Sequence, residues 1–329
     1  MSKKIWLSPY LEEITIELEI FKGFEISQEK FDCKNCIGAI IWHEDFPKMF
    51  RNYEQIKSIS RFGAGIDNID MDFCKNRNIR VTNVPDYGID EVSDTTLAFL
   101  LWCSRGLGFY NWVSQNVNDG SWESNIQKNI RRSNYSKLGI IGMGRIGSLF
   151  AKKALFLGFN VSYYDPYQIP GFEKIIGVNK TENLEQLISE SDFISLNTDL
   201  NKLSENLIDE DLIKKMKPGA SIINTARGKI INSINTIFDY IENGRLNYLA
   251  TDVLREEPPS KNLIQRIKNS PILQQRVLIT PHTAFYSLDS YKEMRIKAAN
   301  NLLQTLTSNK ENLYESALNS YLKNRSKFQ

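Results

Sequence analysis

Three glycines, Gly142, Gly144 and Gly147, have the spacing G-x-G-x-x-G and follow an apolar run at 138–141. In a turn of this kind the first glycine permits the tight turn and the second lets the backbone approach a pyrophosphate. The third allows the next helix to pack closely on the strand, and the N-terminus of that helix offers unpaired N–H groups to phosphates. The pattern therefore predicts a strand, a phosphate-binding turn and a helix over 145–157.

An aspartate, Asp165, ends the next apolar segment at 161–165. In dinucleotide-binding domains an acid at this place accepts hydrogen bonds from the adenosine ribose and repels a 2′-phosphate. The glycine motif alone is weak evidence, because a glycine turn beside a surface aspartate would have the same sequence. The two features together predict a Rossmann domain that binds NAD rather than NADP.

Three titratable or charged side chains follow three further predicted strands. Arg227 follows the strand at 221–224, and the other two, Glu257 and His282, follow the strands that end at 252 and 280. Open α/β sheets place their ligands at the carboxyl ends of parallel strands. Taken singly, the histidine could cap or pack a helix, and the other two could form surface ion pairs. Three such groups at successive strand ends favour an active site.

These three residues suit hydride transfer to a ketone, or the reverse reaction. Addition of hydride to a carbonyl group builds negative charge on its oxygen, so the reaction needs a proton donor and a cation that holds the acid. His282 can donate the proton, and Arg227 can bind a carboxylate through two parallel hydrogen bonds. Glu257 beside the ring would orient it and favour its protonated form.

The elements that must position these residues alternate in type along the chain. Short apolar segments predict strands, and the stretches between them predict helices, which is typical of parallel sheets covered by helices. Strands are predicted at 5–8, 37–42, 56–60 and 79–82, and in a second series at 138–142, 161–165, 193–197, 221–224, 248–252 and 277–280. Long helices are predicted over 90–105 and 288–307, with a turn-rich stretch at 106–136 and a partly helical tail after 308. The sequence thus predicts an α/β fold with two Rossmann-like or flavodoxin-like parallel-sheet domains.

The composition argues against several other classes of protein. The 329 residues include 41 basic and 39 acidic side chains, for a net charge of +2, so no polybasic surface indicates a nucleic-acid partner. No apolar run is long enough to span a bilayer, and the N-terminal segment lacks the apolar stretch of a signal peptide, so we expect a cytoplasmic protein with no membrane partner.

Two of the four cysteines, Cys33 and Cys36, form a C-x-x-C motif, which could indicate metal or redox chemistry. A structural zinc site needs four ligands, and no second pair follows at a usable spacing. We therefore expect no metal site and ordinary structural cysteines.

Taken together, these residues resemble the D-isomer-specific 2-hydroxyacid dehydrogenases, and most closely their C-terminal-binding-protein-like branch. The resemblance extends over about residues 35–305. The segments that carry it are RFGAGIDNID at 61–70, VPDYG at 84–88, GMGRIG at 142–147, YDPY at 164–167, NTARG at 224–228, DV at 252–253, EP at 257–258 and TPHTAFYS at 280–287.

The resemblance implies roles for the matching positions. His282 would be the general acid/base, Glu257 its partner and Arg227 the cation that orients the substrate. Main-chain N–H groups of Gly63, Ala64 and Gly65 would hold the substrate carboxylate, with Arg61 near the far end of the pocket. The implied cofactor contacts are Val84, Thr96, Gly142, Gly144, Arg145, Ile146, Gly147, Asp165, Thr198, Thr225, Ala226, Asp252, His282 and Ala284.

Two more residues are candidates for the substrate pocket. Phe285 occupies a position at which many relatives in this branch have tryptophan, so it bears on pocket shape and substrate size. His43 follows the strand at 37–42, and loops at strand ends often carry function, although it could also be an exposed loop residue.

The family fold implies a discontinuous substrate-binding domain, at 1–105 and 289–329, with an NAD-binding domain inserted at 106–288. It also implies a cleft that closes over the site, and a homodimer joined through 106–136.

The sequence therefore predicts an NAD-dependent oxidoreductase that acts at C2 of a small 2-keto or 2-hydroxy acid. Two alternatives remain open. The branch includes corepressors that sense NAD(H) and bind peptides, although the intact His282, Glu257 and Arg227 favour an enzyme. A phosphono- or phospho-keto acid, or an inorganic oxyanion, is the other alternative, because Arg61 leaves room for a second anionic group.

Overall fold

The computed structural model describes residues 3–116, 122, 125–310 and 312–325. The chain forms two compact units, of which the first comprises Met1–Gly88 with Tyr286–Gln329 and the second comprises Ile89–Phe285. The strands are β1 (Lys4–Leu7), β2 (Glu25–Ser27), β3 (Cys36–Ile41), β4 (Ser58–Arg61), β5 (Arg80–Thr82), β6 (Lys137–Ile141), β7 (Asn160–Tyr164), β8 (Asn179–Lys180), β9 (Phe193–Leu196), β10 (Ala220–Asn224), β11 (Leu246–Thr251) and β12 (Val277–Ile279). The α-helices are α1 (Thr15–Ile20), α2 (Met71–Asn76), α3 (Ile89–Arg105), α4 (Leu107–Asn116), α5 (Arg145–Phe156), α6 (Phe172–Ile176), α7 (Leu184–Glu190), α8 (Glu210–Lys215), α9 (Ile234–Glu242), α10 (Lys261–Asn269), α11 (Pro271–Arg276), α12 (Leu288–Thr307) and α13 (Leu313–Arg325).

The first unit is built on a parallel sheet with the strand order β2-β1-β3-β4-β5. β1 and β3 are short apolar runs whose side chains are mostly buried, as expected for a parallel sheet with both faces covered. Helix α12 packs on this sheet through Met294, Ala298 and Leu302, which are fully buried at helical spacing. A Cβ atom on Gly38 of β3 would lie 2.9 Å from the side chain of Leu306, so this glycine lets the helix approach the sheet closely.

The tail after α12 also belongs to the first unit. Arg80, at the start of β5, donates from Nη1 to the carbonyl oxygens of Thr305 and Ser308, at 2.9 and 2.6 Å. Its Nη2 atom donates to the carboxylate of Glu315 in α13 at 2.6 Å, and Leu318 of the same helix is buried in the apolar core. The predicted helical tail is confirmed, and it covers the edge strand of the sheet.

The second unit is built on a seven-stranded parallel sheet with the order β12-β11-β10-β9-β6-β7-β8. After β6 the chain adds β7 and β8 on one side, and then β9 to β12 on the other. The direction of winding therefore reverses between β6 and β9, and a doubly wound sheet binds ligands at such a switch point. The predicted fold of parallel-sheet α/β domains is confirmed, and the glycine motif follows β6 at the switch point.

Helix α3 lies in the second compact unit, so the bounds of the two units differ from the predicted domain boundaries. We expected the first segment to end after residue 105, but it ends at Gly88, and the other boundary falls after Phe285 rather than after residue 288. The physical reason is the buried face of α3, where Phe99 shares an apolar core with Phe150 of α5. The 17-residue helix is therefore part of the core that covers the second sheet.

The stretch at 106–136, for which the sequence indicated no periodic structure, contains α4. Residues 117–121 and 123–124 of this stretch lie outside the described residues.

Among the described residues, no helix is long and apolar enough to cross a bilayer, and no three His, Cys, Asp or Glu side chains form a group that could hold a metal ion. All four cysteines are buried and unbridged.

Candidate active site

His282 and Glu257 meet at the carboxyl edge of the second sheet, in the loops that follow β12 and β11. Nδ1 of the imidazole lies 2.7 Å from Oε2 of the carboxylate. The other carboxylate oxygen accepts the N–H of Leu254 at 2.8 Å, which fixes the carboxylate. Burial acts to raise the pKa of Glu257, but the hydrogen bond and charge of His282, the N–H of Leu254 and the charge of Arg227 outweigh it and lower the pKa. The glutamate is therefore ionised at neutral pH and holds Nδ1 of the ring, leaving Nε2 for a substrate.

Asp252 supports the loop that carries His282. Its carboxylate, in a residue only 2% exposed, accepts the hydroxyl of Thr280 at 2.6 Å and the N–H groups of Thr283 and Ala284 at 2.9 Å. The main-chain oxygen of Asp252 accepts the N–H of His282 at 2.8 Å. His282 has a φ of 55°, a left-handed conformation that is uncommon for residues other than glycine. These hydrogen bonds hold the histidine in that conformation.

Arg227 follows β10, next to the strand that leads to Glu257. The side chain of Asn224 holds the turn at 224–227. Its Nδ2 atom donates to the carbonyl of Arg227, and its Oδ1 atom accepts the N–H of Ala226. A Cβ atom on Gly228 would lie 1.9 Å from the main chain of Leu254, so the loops after β10 and β11 are packed directly on each other. The structure therefore brings the guanidinium group and the hydrogen-bonded pair of His282 and Glu257 to neighbouring strand ends.

The glycine turn has the shape that a pyrophosphate requires. Gly142 has a φ of 93°, and a Cβ atom there would lie 2.7 Å from the main chain of Asn197. A Cβ atom on Gly147 would lie 2.2 Å from the carbonyl oxygen of Gly142, so this glycine is needed where α5 packs on the turn. At Gly144 nothing lies within 4 Å of the corresponding position. The backbone is therefore open to a phosphate group at the N-terminus of α5, and the turn fits a dinucleotide.

Asp165 is placed as predicted, at the end of β7 and beside the glycine turn. Its Oδ2 atom accepts the N–H of Met143 at 2.8 Å, and its Oδ1 atom accepts the N–H of Tyr167 at 2.9 Å. Gln168, which was not predicted from the sequence, donates from Nε2 to the carbonyl oxygen of Met143 at 2.5 Å. No motif marks this glutamine; only its position three residues after the acid could have drawn attention to it.

The remaining predicted cofactor residues have different surroundings. The hydroxyl groups of Thr96 and Thr225 are hydrogen-bonded to each other at 2.7 Å, and Thr96 is fully buried. Thr198 follows β9 and is half-buried. Val84 belongs to the first unit, where its side chain is fully buried in an apolar core. Arg145 and Ile146 form the first turn of α5, and Ala226 and Ala284 lie in the loops after β10 and β12. Their contacts with the cofactor remain predictions.

The candidate substrate residues of the first unit lie at the carboxyl ends of β3 and β4. Gly63 has a φ of 112°, and a Cβ atom there would lie 1.8 Å from Nη1 of Arg61 and 3.2 Å from the hydroxyl of Tyr87. The guanidinium group of Arg61 thus lies directly on the glycine loop. The carbonyl of Ala64 accepts the side chain of Asn83 at 2.7 Å, which holds this loop in place.

His43 follows β3 and lies among aromatic rings. It stacks on Trp42 with ring centroids 4.8 Å apart, and Tyr10 meets it edge-on at 5.5 Å. The carboxylate of Glu44, which is almost fully buried, accepts the N–H of Trp42 and the hydroxyl of Ser8, and so fixes this loop. Phe285, by contrast, is the last residue of the second unit.

A doubly wound sheet, a dinucleotide turn at its switch point and a hydrogen-bonded pair of His282 and Glu257 on the same edge are features of the nicotinamide-dependent dehydrogenases. Residues 97–284 match the family model described as D-isomer specific 2-hydroxyacid dehydrogenase, NAD binding domain. The chain belongs to this family. The predicted family, class of enzyme and NAD cofactor are thereby confirmed, whereas the narrower placement in the C-terminal-binding-protein-like branch remains a prediction.

Individual relatives agree with this assignment. The chain is 32% identical over 230 residues to D-3-phosphoglycerate dehydrogenase of Methanocaldococcus jannaschii, a match that covers 70% of this chain and 41% of that protein. It is 29% identical over 253 residues to hydroxypyruvate reductase of Thermotoga maritima, covering 77% of this chain and 78% of that protein. The crystal structure of D-lactate dehydrogenase from Aquifex aeolicus, complexed with NAD and lactic acid, has a TM-score of 0.78 at 26% identity and covers 92% of this chain and 95% of its own. The chain thus spans less than half the length of the first of these relatives.

Proposed function

We propose that the protein transfers a hydride between NAD(H) and C2 of a small 2-keto or 2-hydroxy acid of the D series, with His282 as the general acid/base. The 2.7 Å contact between His282 and Glu257 carries this proposal. A histidine held by an ionised carboxylate, beside Arg227 and on the same sheet edge as the glycine turn, is the arrangement that ketone reduction needs.

Each residue has one task in this mechanism. The turn at 142–147 would hold the pyrophosphate of NAD, and Asp165 would accept hydrogen bonds from the adenosine ribose. The nicotinamide supplies or accepts the hydride when the cofactor is bound. His282 donates the proton from Nε2 to the carbonyl oxygen as that oxygen gains negative charge, and takes it back in the oxidation. Arg227 binds the substrate carboxylate, and Glu257 stabilises the protonated ring.

The resemblance also assigns substrate contacts to residues of the first unit. We assign the substrate carboxylate to the main-chain N–H groups of Gly63, Ala64 and Gly65, and the substituent on C3 to His43 and Phe285. Hydrogen bonds to main-chain N–H groups suit a carboxylate because each oxygen can accept more than one. Cofactor contacts at Val84, Thr96, Thr198, Thr225 and Ala284 belong to the same proposal.

A substrate with a second anionic group is the second candidate. Arg61 favours it, because the guanidinium group lies against Gly63 and beside the hydroxyl of Tyr87, where two donors could bind a phosphate or phosphonate. The similarity to a D-3-phosphoglycerate dehydrogenase also supports this candidate.

The experiment is a panel of 2-keto acids, with and without a phosphate or phosphonate group, in which oxidation of NADH is followed by its absorbance. We expect turnover on at least one member, and a fall of about tenfold to a hundredfold in kcat for His282→Ala, because the general acid is lost. Turnover that survives this substitution would remove His282 from the mechanism. Tight NADH binding without turnover on the whole panel would instead favour an NAD-sensing binding protein or an unusual oxyanion substrate.

We also propose that the protein is a cytoplasmic homodimer joined through 106–136. Within the described part of this stretch, the apolar side chains of Trp122 and Ile126 are 58% and 68% exposed, which is consistent with burial in a partner. Light scattering coupled to size-exclusion chromatography tests this directly. A monomeric mass at micromolar concentration would contradict it.

A further inference from the structure

The main chain of Met143, in the middle of the glycine turn, is held from both sides by one loop. Asp165 accepts its N–H at 2.8 Å, and Gln168 donates to its carbonyl oxygen at 2.5 Å. The hydroxyl of Ser148 lies 3.1 Å from this carbonyl oxygen, but it lies closer to that of Gly144, at 2.7 Å. Both peptide groups of Met143 are therefore fixed by side chains of the protein itself.

A tight turn after β7 brings Gln168 to this position. The carboxylate of Asp165 accepts the N–H of Tyr167, and the carbonyl of Asp165 accepts the N–H of Gln168 at 3.4 Å. These two hydrogen bonds reverse the chain directly after the acid, as in an Asx-turn. Asp165, to which we assign the ribose contact, and the amide of Gln168 that contacts the glycine turn are thus parts of one small turn.

The hydrogen bond from Gln168 to the carbonyl of Met143 also determines the direction of the N–H group of Gly144. The carbonyl of Met143 and the N–H of Gly144 belong to the same planar trans peptide, in which they point in opposite directions. With the carbonyl held towards Gln168, the N–H of Gly144 points away from it. Gly144 is also the glycine at which nothing lies within 4 Å of a Cβ position, so the peptide orientation matters most at the open part of the turn.

We propose that Gln168 is a positioning residue for the pyrophosphate of NAD. By holding the Met143–Gly144 peptide, it fixes the phosphate-binding turn before the dinucleotide arrives, so that binding does not have to order the turn. Gln168 therefore contributes to affinity for the dinucleotide and not to the hydride-transfer step.

The test is the dissociation constant of NADH, measured by fluorescence titration without any keto acid. Gln168→Ala is expected to raise Kd about 3- to 10-fold, the range set by the net contribution of one hydrogen bond. Gln168→Glu, which has the same size but no N–H donor, is expected to raise Kd further because its charge opposes both the carbonyl and the pyrophosphate. Gln168→Lys keeps a donor of similar reach and is expected to lie closer to the wild type than Gln168→Ala does.

Two controls separate positioning from a general loss of structure. Gln186 is exposed, and its side chain donates to Glu190 on the surface of α7, so Gln186→Ala should leave Kd unchanged. For Gln168→Ala, kcat at saturating NADH should stay within about twofold of wild type, while the titration of ADP-ribose, which keeps the pyrophosphate, should show the same loss as that of NADH.

An unchanged Kd in both Gln168→Ala and Gln168→Glu would overturn the proposal. So would a loss of kcat that matches the loss of affinity, or a Gln168→Lys variant no better than Gln168→Ala. Because the titration contains no keto acid, its result does not depend on the proposed reaction. A failure of hydride transfer on the substrate panel would leave this test intact.

Discussion

Replacing Glu257 by glutamine keeps the size of the side chain and removes the charge that stabilises protonated His282. The carboxylate has two contacts, Oε2 with Nδ1 of the ring at 2.7 Å and Oε1 with the N–H of Leu254 at 2.8 Å. An amide has only one oxygen, so Glu257→Gln can satisfy one of these donors and must turn its own NH₂ group towards the other. The variant therefore loses a charge-assisted hydrogen bond, and its NH₂ group faces an N–H group that it repels.

The size of the effect follows from the exposure of the pair. A hydrogen bond to a charged group contributes about 1.5–3 kcal/mol. The side chains of His282 and Glu257 are 40% and 38% exposed, so water screens their interaction and the lower end of this range applies. Since about 1.4 kcal/mol corresponds to a factor of ten, we expect kcat/KM for keto-acid reduction to fall about tenfold at neutral pH.

The dependence of the stability of the fold on pH provides a second test of the contact between Glu257 and His282. The lowered pKa of Glu257 means that the stabilising contact is fully present above the ordinary pKa of a glutamate, about 4.3. It is lost as the pH falls through the lower pKa of the folded protein. Glu257→Gln should therefore remove this part of the loss of stability in acid, which thermal unfolding at a series of pH values measures.

The matched control is Glu256→Gln, at an exposed neighbouring position, and it should change neither kcat/KM nor the pH profile. The assay is the initial rate of NADH oxidation against pH for the wild type and both variants. Equal rates in the wild type and Glu257→Gln would refute the reasoning. An equal fall in Glu256→Gln would show that the loop, rather than the pair, is responsible.

Three further predictions concern the cofactor turn and the tail. Asp165→Ala should weaken NAD binding more than NADP binding, because we propose that the carboxylate binds the ribose and would repel a 2′-phosphate; an unchanged ratio of the two dissociation constants would contradict the assignment. Gly144→Ala should raise Kd for NADH and leave the melting temperature unchanged, because nothing lies within 4 Å of a Cβ atom at this position. Gly147→Ala should lower the melting temperature, because a Cβ atom there would lie 2.2 Å from the carbonyl oxygen of Gly142. Arg80→Ala should reduce the free energy of unfolding by about 3 kcal/mol in a urea titration, since it leaves the carboxylate of Glu315 buried without its partner; a change below about 1 kcal/mol would argue against this role.

The sequence predicted the parts of the site that depend on strand ends and on glycine. Gly142 and Gly147 can be recognised because no other residue fits their positions, and the structure shows the close contacts that exclude a side chain. Arg227, Glu257 and His282 could be grouped because parallel strands end at one edge of a sheet. Local pattern and fold class together were enough for these residues.

Other features could not be predicted, because they depend on which surfaces meet in three dimensions. Helix α3 has a clear amphipathic pattern, but the pattern does not say which sheet its buried face covers. Gln168 acts through a main-chain carbonyl of the glycine turn, and a hydrogen bond to main chain leaves no motif in the sequence. The anchoring of the tail depends on Arg80, which lies far from Glu315 along the chain.

The division of the first unit between the two ends of the chain has a consequence for how the protein is made. During synthesis β1 to β5 leave the ribosome before the second unit, whereas α12 and α13, which pack on them, leave it after the second unit. The second unit is continuous in sequence, so it has all its strands and helices while the first sheet still lacks its cover. The nascent chain must therefore keep the apolar face of that sheet, including Leu7 and Ile40, from associating with other chains until α12 has left the ribosome. A premature stop codon early in α12 would leave the dinucleotide-binding unit whole and the first unit without α12 and α13.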